Sequence, residues 1–297
     1  MITNMIHNRF LYAAFCVLVG LFLVSCEEAI TIDVGKGKSE LAVDAMITVE
    51  DGLQELRLML TSGYFDNANP ATAVTDARVL LVNINTLDTF LFQHRPDKPG
   101  YYRSNRQITG NTGNIFGLFV EYNGDTLNGF SRLSRPTHID SLYQEERPAE
   151  FGNEAGKYLY LLARDSAGAG DCCWIRYTLN GKENLQYNRL NQSLPIDAAF
   201  NPGAADGLEF IYPVRNSINT DKSYVVGDTL GVMLYSIDPE HWRFLKEMDI
   251  QLNNQGLFAN PQANVRGNMF NFNAAKKTGA QGCFGICRVS KAGVRIK

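Results

Sequence analysis

Alternation of period two dominates this chain and leaves little room for anything but β-structure. Leu41, Val43, Ala45, Ile47 and Val49 alternate with Ala42, Asp44, Met46 and Thr48, which gives a strand one apolar and one mixed face. Leu56, Leu58 and Leu60 repeat the pattern around Arg57 and Met59. Val79–Val82, Thr89–Phe92, Gly100–Ser104 and Ile115–Tyr122 follow, cut off by turn residues such as Asp51-Gly52, Asp66-Asn67, Pro96-Asp97 and Asn123-Gly124. About seven short strands between Ala29 and Pro136, with no helical period among them, predict an Ig- or transthyretin-like β-sandwich.

Arg135-Pro136-Thr137 reads as a hinge, because proline cannot extend a strand ladder and turns its neighbour away from helix. Beyond it the chain stays β-rich, with strands expected at Tyr158–Ala163, Trp174–Leu179, Leu208–Tyr212 and Leu230–Tyr235. One helix is expected over 239–252. Asp238 can cap it, Pro239 suits its first turn, and Trp242, Leu245, Met248 and Leu252 share a face. The expected organisation is therefore a leader over 1–25, a β-sandwich domain over 26–137, and a β-rich domain with one helix over 138–297. Gly181–Ala205 and Asn253–Ala280 are long for connections in a compact domain, and such loops tend to be functional surfaces.

The head of the chain bears on location. Arg9 precedes the apolar run Phe10–Val24, followed by Ser25 and Cys26. At about 15 residues the run is short for a membrane-spanning helix and suits a secretory leader. Leu23-Val24-Ser25-Cys26 resembles the bacterial lipobox, in which the cysteine thiol is acylated and becomes the first residue after cleavage. Cys26 is thus the expected lipid anchor, and a soluble body tethered to a leaflet is the expected product. Glu27-Glu28 resembles the acidic signal that sends some lipoproteins to the cell surface, so an outer-membrane, surface-exposed protein is expected. With 28 basic against 31 acidic residues and 45% hydrophobic composition, neither a nucleic-acid binder nor a disordered chain is indicated.

Several segments resemble one family in their order along the chain. They include Cys26–Asp33, Leu41–Thr48, Gly63-Tyr64-Phe65-Asp66-Asn67, Val74–Val79, Gly100–Ser104 and Ile139-Asp140-Ser141-Leu142. The second half adds Gly227–Leu230, Ser236–Glu240, Phe258-Ala259-Asn260-Pro261 and Gly282-Cys283-Phe284-Gly285. Together they resemble the outer-membrane lipoproteins of the domain of unknown function 4249 family. The resemblance implies a TonB-dependent outer-membrane receptor as partner and names no activity. The family's Asn-Pro-Pro-rich loop is represented here by the thinner Asn264-Val265-Arg266-Gly267-Asn268.

Motifs that would carry catalysis are sparse. There is no His-Glu-x-x-His, Gly-x-Ser-x-Gly or phosphate-binding glycine loop. His94, His138 and His241 are scattered, and Glu145-Glu146 reads as solvated charge. A non-enzymatic binding protein without metal or cofactor is expected, with a surface adhesin or scaffold as the alternative. Beyond Cys16 and Cys26 the cysteines are Cys172, Cys173, Cys283 and Cys287. An even set in an oxidising compartment favours disulfides. Cys283 and Cys287 would lie roughly 13 Å apart in an unbroken strand, so the expected bridge joins the 172/173 pair to the 283/287 pair. A four-thiolate zinc site is the alternative, but it lacks the usual spacing. Tyr101-Tyr102 packs a strand end or offers a stacking platform. Asp125-Thr126-Leu127, Asp140-Ser141-Leu142, Asp165-Ser166-Ala167 and Asp228-Thr229-Leu230 resemble an O-glycosylation tripeptide and also suit turn-to-strand junctions. Phe258, Phe270 and Phe272, apolar side chains in a polar loop, are the candidate partner-binding residues.

Overall fold

The alternating segments form strands, and one long strand near the end of the chain gathers them. In the computed structural model the residues described are 39–50, 52–62, 71–150, 154–183, 190, 192–197, 206–213, 223–254, 265–272 and 280–297. The first half supplies β1 (Leu41–Thr48), β2 (Glu55–Leu60), β3 (Thr72–Ala73), β4 (Arg78–Asn83), β5 (Thr89–His94), β6 (Tyr101–Ser104), β7 (Ile115–Tyr122) and β8 (Asp125–Arg132). The second supplies β9 (His138–Arg147), β10 (Gly156–Arg164), β11 (Cys172–Leu179), β12 (Lys182–Glu183), β13 (Glu209–Pro213), β14 (Thr229–Ile237), β15 (Met269–Asn271) and β16 (Ala280–Arg295). The chain is mainly β, and the helix among the described residues, α1, runs from Pro239 to Leu252.

Strand β16 changes partners midway. Its first half runs parallel to β1, from Leu41 opposite Ala280 to Thr48 opposite Cys287. Its second half runs antiparallel to β14, from Ser236 opposite Arg288 to Thr229 opposite Arg295. The result is one 13-stranded mixed sheet, ordered β12-β11-β14-β16-β1-β2-β6-β5-β4-β7-β8-β15 with β3 on β2, and a smaller sheet β13-β10-β9. Residues Ser39–Lys297 form a single compact unit.

The sheet from β1 to β8 curls around one core. Val43, Ile47, Leu58, Leu81, Phe90, Tyr102, Phe116 and Leu118 face inward with Phe284 and Ile286 of β16. Each strand contributes its alternate apolar residues, as period two requires. The curl closes on β16 through side chains. The Phe284 N–H donates to Asn268 Oδ1 (2.8 Å), and Asn268 Nδ2 donates to the carbonyls of Phe284 (2.6 Å) and Phe130 (3.0 Å). The Ile286 N–H donates to Ser131 Oγ at 3.0 Å. Backbone groups left over by the parallel ladder are thereby satisfied, which avoids the cost of a buried, unpaired amide.

In the second half the small sheet lies over β11, β14 and the end of β16, with Leu159, Leu161, Ile175, Tyr177, Val232 and Leu234 between them. The opposite face of β11 and β14 is covered by α1, Leu190 and residues 192–196, which together enclose Trp174, Leu194, Ile237 and Leu245. Asp238 caps α1 by accepting the His241 N–H at 2.8 Å, and Pro239 opens its first turn. Leu245 is buried and Trp242 and Met248 are partly so, while Leu252, at the end of the expected apolar face, is exposed.

Two glycines fix the closest approach of strands. Gly282 has φ +93°, and a Cβ there would be driven into the carbonyl of Val43; one at Gly267 would strike the backbone of Gly282. Gly282→Ala should therefore destabilise the protein by about 3 kcal/mol or more, through backbone strain and loss of the β1–β16 approach. A denaturant midpoint equal to that of the wild type would show that β16 does not sit against β1 in this way.

Candidate functional site

Serine, aspartate and histidine do converge in this fold, but at a sealed position. Ser131 of β8 donates to Asp238, whose other carboxylate oxygen accepts the His241 N–H. All three residues are buried. The His241 ring packs where a side chain on Gly285 would stand, and its Nδ1 has no partner. Burial holds the His241 imidazole neutral, with its pKa lowered to about 4. Burial also raises Asp238 above the ordinary carboxylate range, against the lowering effect of the Ser131 and N-terminal helix hydrogen bonds. The serine is occupied with the carboxylate and with Ile286, not poised on the imidazole. The arrangement caps a helix and ties β8 to β16, and it offers no approach to a substrate.

The four cysteines are free and buried. Cys173 faces the core under the small sheet and Cys172 the core under α1, as neighbours on a strand must. Cys287 shares the second of these cores. Cys172 stands opposite Ile237, and Cys287 lies one step beyond the Ser236–Arg288 pair. Ile237 thus separates the two thiols, which puts their Cα atoms two strand spacings or about 10 Å apart. A disulfide needs about 4.4–6.8 Å. The expected bridge between the two cysteine pairs is not formed. Burial pushes Cys173 up to about 12 and raises Cys172, Cys283 and Cys287 as well, so these thiols are not nucleophiles.

Among the described residues the one group of three metal-ligating side chains is Asp165, Asp197 and Asp206. Their oxygens accept loop amides. Asp165 takes the Gly207 N–H, Asp206 the Gly168 N–H, and Asp197 those of Gly170 and Asp171. Arg135, in the connection between β8 and β9, pairs with Asp171 at 2.9 Å. This cluster shapes the loop 165–171. Of the other sequence candidates, His138 lies exposed at the start of β9 and Glu145 and Glu146 are exposed further along it. Tyr102 is core and donates nothing to a surface platform, its hydroxyl accepting the Ala77 N–H. In the tripeptides Ser141 and Thr229 are exposed, while Thr126 and Ser166 are half-buried.

Cys26, Phe258 and the segment Gly63–Asn69 lie outside the described residues. Phe270 and Phe272 are described, and the fold gives them companions that sequence reasoning missed. In β8 the inward residues Leu127, Gly129 and Ser131 alternate with Thr126, Asn128 and Phe130 on the outer face. In register, Phe119 of β7 and Phe270 of β15 flank Asn128. The rings of Phe119 and Phe130 lie over Gly117, within 2.9 and 3.0 Å of where a Cβ would be. Phe119 and Phe130 meet edge to face with centroids 6.1 Å apart, and Phe130 and Phe270 are also 6.1 Å apart. Phe130, Phe270 and Phe272 are 40%, 47% and 75% exposed. Asn128, only 1% exposed in their midst, has no hydrogen-bond partner for either its Oδ1 or its Nδ2. Leaving such an amide unpaired costs on the order of 1–3 kcal/mol.

Phe270 also forms one wall of a groove of about 870 Å3 between α1 and the start of β16. Glu240, Arg243, Glu247, Arg266 and Gln281 line it. Arg243 forms an ion pair with Glu240, and the backbone N–H of Arg266 donates to Glu247. The aromatic face and this groove meet at Phe270, which makes the neighbourhood of β15 the candidate functional site. No helix among the described residues is long and apolar enough to cross a membrane.

Two outcomes follow from the buried groups. The folded His241 ring takes up its proton only near pH 4, whereas the unfolded chain does so near 6.5. Its contribution is therefore complete above about pH 6.5 and falls by about 3 kcal/mol as the pH drops to 4. Asp238, raised in the folded state, works in the opposite sense and softens the loss. His241→Gln should flatten the stability–pH curve between those limits, as measured by denaturation at a series of pH values. Thiol titration should find Cys172, Cys173, Cys283 and Cys287 unreactive in the native protein and all four reactive after unfolding without reductant. No reactive thiol after unfolding would mean that they are bridged.

A family model described as a domain of unknown function, DUF4249, matches residues 27–292. No curated protein matches the chain. The match spans nearly the whole sequence, and the chain belongs to this family.

Proposed function

We propose that this member of the DUF4249 family is a surface-tethered outer-membrane lipoprotein. On this reading it is a non-enzymatic accessory or binding partner of a TonB-dependent receptor, active in nutrient uptake or envelope assembly. The observation that carries it is the half-exposed aromatic face of Phe130, Phe270 and Phe272 on a closed β scaffold. Apolar rings kept out of three well-filled cores mark a surface that meets another molecule. The Ser-Asp-His convergence is sealed, and the described acidic cluster is engaged with its own loop, which supports binding over chemistry. The leader ending in Leu23-Val24-Ser25-Cys26 supports the lipid anchor and an envelope location.

The anchor is tested by Cys26→Ala, which should leave an uncleaved precursor or release the protein from the membrane fraction. A processed mutant that still pellets with outer membrane would exclude lipid tethering. The partner is tested by replacing Phe258, Phe270 and Phe272 together with serine in the full chain. Receptor co-purification from detergent extracts should fall at least several-fold. Because Phe270 and Phe272 are exposed, their part of the change should move stability by no more than roughly 0.5 kcal/mol each. Wild-type protein that brings down no receptor barrel would favour an adhesin or scaffold instead.

A further inference from the structure

The aromatic face contains one feature that a plain apolar docking surface would not keep. Asn128 is almost completely buried on the outer side of β8, between Phe119 and Phe270, with neither amide atom paired. A leucine at that place would satisfy the packing without the penalty, since buried polar groups are ordinarily hydrogen-bonded. The row beside it is polar. Arg78, Glu121 and Thr126 stand next to one another across β4, β7 and β8, and Arg78 is paired with Glu121 at 3.2 Å. The face therefore combines exposed rings, an unspent donor–acceptor pair and, beside Asn128, a matched Arg78–Glu121 ion pair, while Arg132, farther along the outer face of β8, donates to the carbonyl of Gly113.

We propose that this face is a binding site for a neutral saccharide, with Asn128 as its polar reader. Vicinal hydroxyls suit a carboxamide, since one can accept from Nδ2–H while its neighbour donates to Oδ1. The positively polarised C–H faces of a pyranose lie well on the negative faces of Phe130 and Phe270. An anion finds no free positive charge in the Arg78–Glu121 pair, and an apolar side chain would leave the amide unpaired. Phe270 can shift its ring off Asn128 and keep it on the sugar. It is half-exposed and held by the three-residue strand β15, so its ring has the rotamer freedom to adjust against a bound pyranose. The proposal rests on reading this face as the working surface, and it names what would be bound there rather than which receptor stands beside it.

The test uses the full-length protein, purified without receptor, and a panel of maltohexaose, cellohexaose, xylohexaose and mannohexaose in titration calorimetry. At least one should bind, and Phe270→Ala should weaken it on the order of tenfold. Asn128→Leu should abolish binding while the melting temperature stays level or rises, a combination that a merely structural asparagine would not produce. Phe270→Ala, an exposed change, decides the matter if Asn128→Leu does not fold. Absence of binding by the wild type to all four sugars, or unaltered binding by Phe270→Ala, overturns the proposal. So does Phe270-dependent binding to neutral phosphatidylcholine vesicles with no sugar bound, which would make the face a membrane contact. Since no receptor is present, a missing receptor partnership leaves the result untouched.

Discussion

The fold depends on one strand that serves two partners. Ala280–Cys287 pairs with β1 beside the first core, and Arg288–Arg295 pairs with β14 beside the second. A parallel pair needs a crossover connection. Here that crossover is nearly the whole chain, from Thr48 to Ala280, so the first core cannot be completed until the last segment has arrived. Phe284 and Ile286 fill that core from the far end of the sequence. Such contacts are costly in loop entropy and belong to slowly folding topologies. Everything near the partner change is correspondingly tight: Gly282 against Val43, Gly267 against Gly282, Gly285 against the His241 ring.

The buried polar groups at this junction follow from the same constraint. A strand that leaves one neighbour for another exposes N–H and C=O groups on its spare edge. Ser131 and Asn268 take up that duty, and Ser131 links the Ile286 amide to the helix cap at Asp238. Side chains replace a ladder that strand geometry cannot supply. The small sheet uses the same device farther along, where the Ile139 N–H donates to Ser290 and Gln144 accepts from the Lys297 N–H. The price in desolvation is visible in the displaced pKa values of Asp238 and His241.

Much of the local structure was legible because alternation is a local property. The strands at Leu41, Leu56, Val79, Thr89 and Ile115, the helix and its Asp238 cap all lie where periodicity and capping residues put them. Strand β9 was not legible, because every residue from His138 to Arg147 keeps some solvent exposure and no apolar alternation results. The double role of β16 was not legible either, since nothing in Ala280–Arg295 announces a partner more than 200 residues away. The cysteine geometry failed for the same reason. Which strands stand between Cys172 and Cys287 is a matter of sheet order, and Ile237 intervenes. At the candidate face, Phe270 and Phe272 were visible as apolar residues in a polar loop. Phe119 fell in the strand expected over Ile115–Tyr122, whereas Phe130 lay in a segment given no element, because Asn128-Gly129 interrupts the apolar pattern there. Assigning 125–132 to a strand would have put Asn128 and Phe130 on one face.

What separates the structural polar groups from Asn128 is whether their hydrogen bonds are spent. Asp165, Asp197 and Asp206 look like a cation site by proximity alone, yet each carboxylate holds loop amides. Ser131 and Asp238 look like catalytic residues, yet they hold a strand and a helix end. His241 Nδ1 is unpaired but sealed under a fully packed core, where only a neutral ring fits. Asn128 differs on both counts: its amide is unspent, and what covers it is a set of rings themselves half in solvent. Paying for an unpaired amide is tolerable in a core only where nothing else fits, but at the surface any of several apolar residues would fit better. Its retention beneath a movable ring is what a binding face requires and a packing face does not.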